Sequence, residues 1–404
     1  MIRAILAVAR LVLAGWLALL APVAMADTLV DNVNGVTIGS DGKVLRFTGI
    51  VFDPQGRITQ VLMPKDKRPK RVDYRVDGKG LTMLPGIIDS HVRLMDMAIH
   101  NLLGNGKPAP LPPGATLPPP RPEDRDVAFQ KLQRLLAARG VTAVADMGTT
   151  MEDWQTYRRA GDARTLYIRI AAYAADVPAM ALIGGPGPTP WLYDDRLRLN
   201  GVFLPVGGGS DDTQLRNLMS RAAIDGFQIA ASADSDAAVI GLLGAIDELT
   251  ETYKGERRWR LEGAQPIGPA ALPRLAAHGV IASVRPGAGP GAGVGVGPAA
   301  LHPVFGQGPA TALPGPFTGL VAGGEAALAS LTASGAYAAY AEGRFGRLIA
   351  GERADFILVD RDPLTATVEE IRSTRVLQTW INGAKIYEEG LETAQKFGAT
   401  MPGW

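Results

Sequence analysis

The chain has 404 residues, with 41 basic against 40 acidic side chains and a formal net charge of +1. Hydrophobic residues make up 47% of the sequence and charged residues 20%, which is typical of a soluble globular protein. This balance gives no electrostatic reason to expect a nucleic acid or an anionic membrane surface as a partner. The absence of cysteine excludes disulfides, thiolate metal ligands and cysteine nucleophiles.

Residues 1–26 have the pattern of a secretory signal peptide. Arg3 and Arg10 supply positive charge, Leu11–Leu20 is an apolar run, and residues 24–26 read Ala-Met-Ala, the small-x-small pattern of a cleavage site. We expect cleavage before Asp27, with an uncleaved membrane anchor as the alternative. The mature chain has no other run near the roughly 18 apolar residues that a spanning helix needs, so we expect no membrane partner after cleavage. Export and the lack of cysteine together favour a bacterial periplasm.

Short strand-like segments occupy both ends of the mature chain. Residues 27–83 alternate between apolar and polar positions and are interrupted by turns, and residues 346–392 have the same texture. Asn382 and Gly383 form a strong two-residue hairpin signal. We therefore expect one small β-sandwich domain built from both ends, with a second domain over residues 84–345 between them.

The middle of the chain alternates strand-like and helix-like segments, which predicts a parallel sheet or a (β/α) barrel. The predicted helices are at residues 126–140, 213–225, 236–254 and 268–278. Two low-complexity segments, 104–125 and 285–324, are rich in proline and glycine, and we expect no regular elements in them. If they replace missing strands, the barrel is incomplete.

The stretch "LPGIIDSHVRLM" (84–95) reads as a buried strand that ends in polar residues. Strand alternation predicts that His91 and Arg93 point the same way. Two histidines at this spacing would bind one metal ion, but the second position holds an arginine. No H-x-H or H-E-x-x-H pattern occurs in the chain. His91 is therefore either a buried core histidine or a vestigial ligand.

Several segments in chain order resemble one known family. "GKGLTMLPGIIDSHV" (78–92) is similar to the first-strand signature of the amidohydrolase superfamily, and "GRLIAGERADFILVDRDPL" (346–364) is similar to its return into a β-sandwich. "RLRLNGVFL", "FQIAASADSDAAV" and "RRWRLEGAQ" resemble the branch that contains N-substituted formamide deformylase. The resemblance implies an α/β fold with a TIM-like barrel and an active site at the C-terminal ends of its strands. It also implies a metal, usually zinc, that activates water to attack a non-peptide carbon–nitrogen bond.

The metal-ligand positions implied by the resemblance are mostly occupied by residues that cannot bind a metal. The first histidine corresponds to His91, the second to Arg93. The remaining ligand positions fall on Phe203, Ser232, Gly263 and Gly308. Arg93 has no lone pair to donate. At ~4 Å and an effective dielectric near 20, like unit charges repel by roughly 4 kcal/mol, and a divalent ion doubles this.

We expect Arg93 to pair with Asp89 or Asp96 instead of a metal. The acids Asp234, Asp236 and Glu262 are expected to pair with Arg93 or Arg260. Two hypotheses remain open. The chain is either a hydrolase of carbon–nitrogen bonds with an unorthodox site and a zinc or other divalent ion, or an inactive relative that binds a small molecule or a partner and needs no cofactor.

Overall fold

Two β-sheets organise the chain, and helices surround one of them. The computed structural model describes residues 27–103, 120–206, 212–233, 235–263, 271–284, 304–305, 317, 320–321 and 324–390. The predicted signal peptide lies outside these residues, and its cleavage stays a prediction. No helix within the described ranges is long and apolar enough to cross a membrane.

The first sheet begins with five strands from the start of the described chain. They are β1 (Thr28–Ile38), β2 (Val44–Phe52), β3 (Ile58–Leu62), β4 (Tyr74–Asp77) and β5 (Thr82–Pro85). β2 pairs antiparallel with both β1 and β3, whereas β4 and β5 run parallel to β1 at successive positions along it. The edge of β5 is left for a partner from elsewhere in the chain.

The second sheet is a path of parallel strands. Its strands are β6 (Ile87–Val92), β7 (Val141–Thr149), β8 (Arg169–Ala174), β9 (Leu197–Val206), β10 (Gln228–Ala233), β11 (Arg260–Glu262), β12 (Ile281–Val284) and β13 (Val304–Phe305). They pair in chain order, and β13 also packs beside β6, so the path is a nearly closed barrel. The predicted TIM-like barrel is therefore confirmed, with a last strand of only two residues.

Helices connect the barrel strands. They are α1 (Leu94–Leu103), α2 (Pro122–Ala138), α3 (Met151–Asp162), α4 (Val177–Gly184), α5 (Asp212–Ile224), α6 (Asp236–Thr252), α7 (Leu272–Ala277), α8 (Gly324–Leu331) and α9 (Ala333–Ala338). The local sequence explains where some of these helices begin. Thr150 and Asp153 form a capping box on α3, and the Ser235 side chain accepts from the backbone N–H of Ala238 at the start of α6.

Regular structure extends into both low-complexity segments, which corrects the prediction that they contain none. α2 begins at Pro122, because proline suits the first helical turn and Glu123 and Asp124 complement the helix dipole there. In the second segment, Val304 and Phe305 pair in parallel with β12. Two β-branched or aromatic residues are enough for a short strand when a partner edge is already in place.

The chain returns to the first sheet at its end. The last elements are β14 (Phe356–Val359), α10 (Val368–Arg372), β15 (Val376–Ile381) and β16 (Ala384–Glu388). β14 pairs antiparallel with β5, so strands from both ends of the chain form one eight-stranded sheet, called here the terminal sheet. Asn382 and Gly383 turn the β15–β16 hairpin with φ of 56° and 72°, as predicted. The two-layer sandwich and the domain boundaries stay predictions.

Small side chains line part of the barrel interior. Ala143, Ala145, Ala171 and Ala230 lie on its strands and pack with alanines of the segment around α9. At the N-terminal ends of the strands, Gln228 Nε2 donates to the Ala338 carbonyl at 3.1 Å, and Asn200 Nδ2 donates to the Ala339 carbonyl at 2.9 Å. The α9 segment therefore closes this end, and the C-terminal ends of the strands form the mouth of the barrel.

Candidate functional site

Three charged side chains form a connected, buried group inside the barrel. Glu262 Oε2 lies 2.6 Å from His91 Nδ1, and Glu262 Oε1 lies 2.5 Å from Arg260 Nε. Arg260 and Glu262 share one face of β11 because side chains two residues apart on a strand point the same way. His91 comes from β6, so the group joins two strands that are not neighbours along the chain. His91 is 8% exposed, and the other two are 1% exposed.

The charges in this group stabilise each other. Burial alone raises the pKa of Glu262, but the positive charge of Arg260 and the hydrogen bond with His91 lower that pKa to about 2. Burial opposes the charge of Arg260, yet Glu262 raises the pKa of that guanidinium above its ordinary value. Glu262 is therefore ionised at neutral pH. An ionised carboxylate can only accept, so His91 Nδ1 carries the proton of their hydrogen bond.

Polar side chains extend the group toward the closed end of the barrel. Arg260 Nη1 donates to the Tyr173 hydroxyl at 3.1 Å, and that hydroxyl donates to Gln228 Oε1 at 2.6 Å. Asn200 Nδ2 lies 3.4 Å from the same hydroxyl, and its buried Oδ1 has no partner within the described residues. The sequence analysis missed Tyr173, Gln228 and Asn200. The one feature of the sequence that could have indicated these residues is the placement of polar side chains at alternate positions of otherwise apolar strands.

Arg93 lies outside this group. β6 ends at Val92, so strand alternation does not extend to Arg93, and the expectation that it points with His91 stays a prediction. Its side chain is 46% exposed, and its Nε lies 2.6 Å from Asp96 Oδ2. The predicted ion pair with Asp96 is confirmed. The guanidinium also lies beside Gly148 at the end of β7, close to the mouth of the barrel.

The other predicted ligand positions lie near His91 and Glu262. The Phe203 ring packs edge-on against the His91 ring, with centroids 6.0 Å apart and planes at 80°. Ser232 is the partner of Glu262 in the parallel register of β10 and β11. Gly263 follows Glu262 directly and has a φ of 64°. Gly308 and Asp234 lie outside the described residues, and Asp236 is in the first turn of α6.

These residues do not fit a divalent metal ion. His91 uses Nδ1 and Glu262 uses both oxygens within the charged group, and neither a phenyl ring nor a glycine hydrogen supplies a lone pair. Arg260 adds a fixed positive charge 2.5 Å from Glu262 Oε1. Across the described parts of the chain, no three histidine, aspartate or glutamate side chains converge as a metal site would require.

A second buried acid, Asp146, lies on β7 and fixes the start of α1. It accepts from the backbone N–H of Leu94 at 2.7 Å, from Thr149 Oγ1 at 2.7 Å and from the Tyr157 hydroxyl at 2.8 Å. Burial and the nearby charge of Asp153 raise its pKa to about 6, although the three hydrogen bonds oppose the shift. With all its oxygens engaged by the protein, Asp146 is a structural residue.

Known proteins share this architecture. An uncharacterized metal-dependent hydrolase from Pyrococcus horikoshii has a TM-score of 0.67 at 16% identity, covering 85% of this chain and 99% of that one. An adenosine deaminase from Xanthomonas campestris with bound zinc has a TM-score of 0.63 at 15% identity, covering 89% and 92%. A molinate hydrolase has a TM-score of 0.64 at 15% identity, covering 94% and 98%. At these identities the likeness shows the fold.

Sequence comparison identifies the family. None of the curated proteins matches the chain. Residues 94–318 and 324–387 match the sequence model of the amidohydrolase family, beginning just after His91 and Arg93. Because this match extends from α1 through the barrel to β16, the chain belongs to the amidohydrolase family.

Proposed function

We propose that this protein is a metal-independent amidohydrolase relative that binds a small molecule at the mouth of its barrel. One observation carries the proposal: Arg260 and His91 occupy both oxygens of Glu262, so within this arginine–glutamate–histidine group only the lone pair of His91 Nε2 is left for a metal, and a single ligand does not hold a divalent ion. Arg260 supplies the positive charge that balances Glu262, and Glu262 in turn holds the His91 ring. A catalytic ion has no complementary set of ligands here.

Adding a divalent ion would be costly. An ion that used Glu262 as a ligand would have to detach it from Arg260 and leave a guanidinium buried without its counter-charge, which costs about 3–5 kcal/mol in comparable buried pairs. Repulsion between Arg260 and the ion adds to this cost at short distance. Arg93, ion-paired with Asp96 near the mouth, is 46% exposed, and its guanidinium favours an anionic or carbonyl-bearing ligand.

The proposed branch of the family and the proposed location of the protein rest on the sequence. The motifs around Phe203, Ser232 and Gly263 support the branch that resembles N-substituted formamide deformylase, with ligand positions lost. The signal pattern at residues 1–26 supports export, and the lack of cysteine agrees with a periplasmic location. Two of the solved structures named above are described as hydrolases and one as an adenosine deaminase, and this fold-level analogy supports a ligand of the kind that hydrolases and deaminases bind.

A hydrolase with an unorthodox site is the second candidate, and one observation favours it. His91 Nε2 makes no hydrogen bond within the described residues, while Nδ1 is held by an ionised carboxylate. A histidine oriented in this way can accept a proton from a nucleophile. Hydrolysis would then proceed without an ion bound to His91.

Metal content tests the proposal. Protein produced in zinc- or manganese-supplemented medium and passed over a desalting column should hold well below one equivalent of metal by mass spectrometry. The His91→Ala variant should hold the same amount of metal. So should His278→Ala, a matched control: His278 follows the end of α7, and its ring pairs with Asp247 of α6. About one equivalent that disappears in His91→Ala but not in His278→Ala would refute metal independence.

Ligand binding separates the two candidates. A panel of small amides and carboxylates should raise the melting temperature of the wild-type protein, and Phe203→Trp should abolish the rise by filling the space beside His91. Turnover of an amide that survives exhaustive chelation and is lost in His91→Ala would favour the hydrolase instead.

A further inference from the structure

A surface cavity of about 460 Å³ lies at the opposite end of the barrel from His91. Its walls come from the α3–β8 loop, the segment before β9 and the β15–β16 hairpin of the terminal sheet. Leu166, Ile381 and Ile386 give it an apolar wall, and Arg164 and Arg196 give it two guanidinium groups. A volume of this size is within the range of small-molecule sites.

Arg196 has too little negative charge around it. Its side chain is 12% exposed, and its Nε is buried without a hydrogen-bond partner in the described part of the chain. Nη1 donates to the Tyr193 carbonyl at 3.3 Å, and the nearest carboxylate, Asp194, is 3.9 Å away and 59% exposed. Burial and the positive charge of Arg169 lower the pKa of Arg196 to about 10. An anion bound beside this guanidinium would supply the missing counter-charge and stabilise its charged form.

The wall next to Arg196 is held in an unfavourable backbone conformation. Tyr193, Asp194 and Asp195 have φ of 53°, 56° and 64°, the left-handed region that non-glycine residues rarely adopt. Arg353 Nη2 lies 2.8 Å from Asp195 Oδ2 and holds the turn in place, while a second arginine donates to the carbonyls of Asp194 and Asp195. Strain that is stabilised in this way occurs most often at functional sites.

The remaining charged groups of the cavity leave the guanidinium groups available. Asp162 accepts a hydrogen bond from the Tyr193 hydroxyl at 2.6 Å and is thereby turned to that ring. Arg164 is exposed and has no ion-pair partner among the residues that the structure describes. Two guanidinium groups and two carboxylates are among the described residues that line the cavity, and of these charged groups Arg196 is the buried one without a close counter-charge, opposite a wall of hydrocarbon.

We propose that this cavity binds a small organic carboxylate. The carboxylate pairs with Arg196, whose planar guanidinium can donate two parallel hydrogen bonds, and the hydrocarbon part packs on Leu166, Ile381 and Ile386. Arg164 closes the outer side of the carboxylate. The site is distinct from the barrel mouth, and it does not depend on the function proposed there.

Calorimetric titration with hexanoate tests the proposal. Hexanoate should bind at one site, and hexanamide, which has the same size without the charge, should bind at least tenfold more weakly. Arg196→Gln should weaken hexanoate at least tenfold. Arg134→Gln, which removes an exposed arginine from a groove between α2 and α3, should change its affinity less than twofold. Equal binding of hexanoate and hexanamide, or unchanged binding in Arg196→Gln, would overturn the proposal.

Two further variants keep the test decisive if Arg196→Gln does not fold. Ala384→Phe fills the cavity from the hairpin and should abolish hexanoate binding; a folded Ala384→Phe protein with wild-type affinity would overturn the assignment. His91→Ala should bind hexanoate as the wild type does. Loss of binding in His91→Ala would place the ligand at the barrel mouth and refute the second site.

Discussion

Replacing Glu262 by glutamine removes the central charge of the buried group and keeps its shape. The wild-type carboxylate contacts Arg260 on one oxygen and His91 on the other, and it is 1% exposed. In Glu262→Gln the guanidinium stays buried without a counter-charge. We therefore expect a large loss of folding free energy from a substitution that changes no packing volume.

The size of the loss follows from the pKa of Glu262. A pKa lowered from an ordinary value of 4.5 to about 2 corresponds to about 3 kcal/mol of stabilisation of the folded state, at ~1.4 kcal/mol per pH unit. Removal of one partner from a buried ion pair typically costs about 3–5 kcal/mol, which agrees. We expect Glu262→Gln to lower the free energy of unfolding by about 3 kcal/mol at pH 7.

The pH dependence gives a sharper test. Because the pKa of Glu262 is lower in the folded chain, its stabilisation is fully present above pH 4.5 and is lost as pH falls toward 2. The difference in unfolding free energy between the wild type and Glu262→Gln should therefore shrink over that interval. Urea titrations followed by tryptophan fluorescence at several pH values measure it.

A half-exposed ion pair provides the control. Glu342 lies 2.6 Å from the buried Arg258 but is itself 44% exposed, and Arg258 keeps Glu256 at 2.8 Å, so Glu342→Gln should cost less than about 1 kcal/mol. A loss below about 1 kcal/mol in Glu262→Gln at pH 7, or a loss that does not change between pH 6 and pH 2.5, would refute the assignment of a strong buried ion pair.

Four other substitutions have defined outcomes in urea unfolding. The pKa of Asp146 is raised from 3.8 to about 6, so the folded chain favours its protonated form, and stability should fall as pH rises from 4 to 6. Asp146→Asn should remove that fall, which amounts to about 3 kcal/mol; an equal pH dependence in the variant would contradict this. Tyr173→Phe leaves buried partners of its hydroxyl unsatisfied and should cost about 1–3 kcal/mol. Gly335→Ala should cost about 1–3 kcal/mol because a Cβ would approach Ile88 to 2.9 Å, whereas Gly244→Ala, in open space on α6, should stabilise by up to about 1 kcal/mol. Equal effects of these two glycine substitutions would contradict the packing argument.

Local sequence signals predicted most of the elements. The alternation of strands and helices predicted a parallel barrel, and Asn382 and Gly383 predicted the hairpin, because both residues tolerate the left-handed backbone that the turn requires. Pro122 shows the limit of composition: in a proline-rich run it reads as a connector, but at the first position of α2 it favours a helix. Whether proline interrupts or begins a helix depends on the residues that follow it.

The charged network could be predicted only in part. Arg260 and Glu262 are two residues apart, so strand geometry predicts a common face, and Glu262 was expected to pair with an arginine. The partners of Tyr173 could not be predicted, because its hydroxyl meets Arg260 and Gln228, 87 and 55 residues farther along the chain. The proposed carboxylate cavity combines segments that are farther apart still, since residues 161–167 and 381–386 are more than 200 residues apart. Such contacts depend on how the strands are ordered in the barrel.

The pairing of β5 with β14 has a consequence for the order in which the chain can fold. About 270 residues of sequence separate Pro85 from its partner Phe356, so the terminal sheet keeps an open edge until the end of the chain has been synthesised. Closure of the barrel is late as well, because the α9 segment that closes it is among the last parts of the chain to be synthesised. We therefore expect the two sheets to be completed late and together, after the last strands have been synthesised.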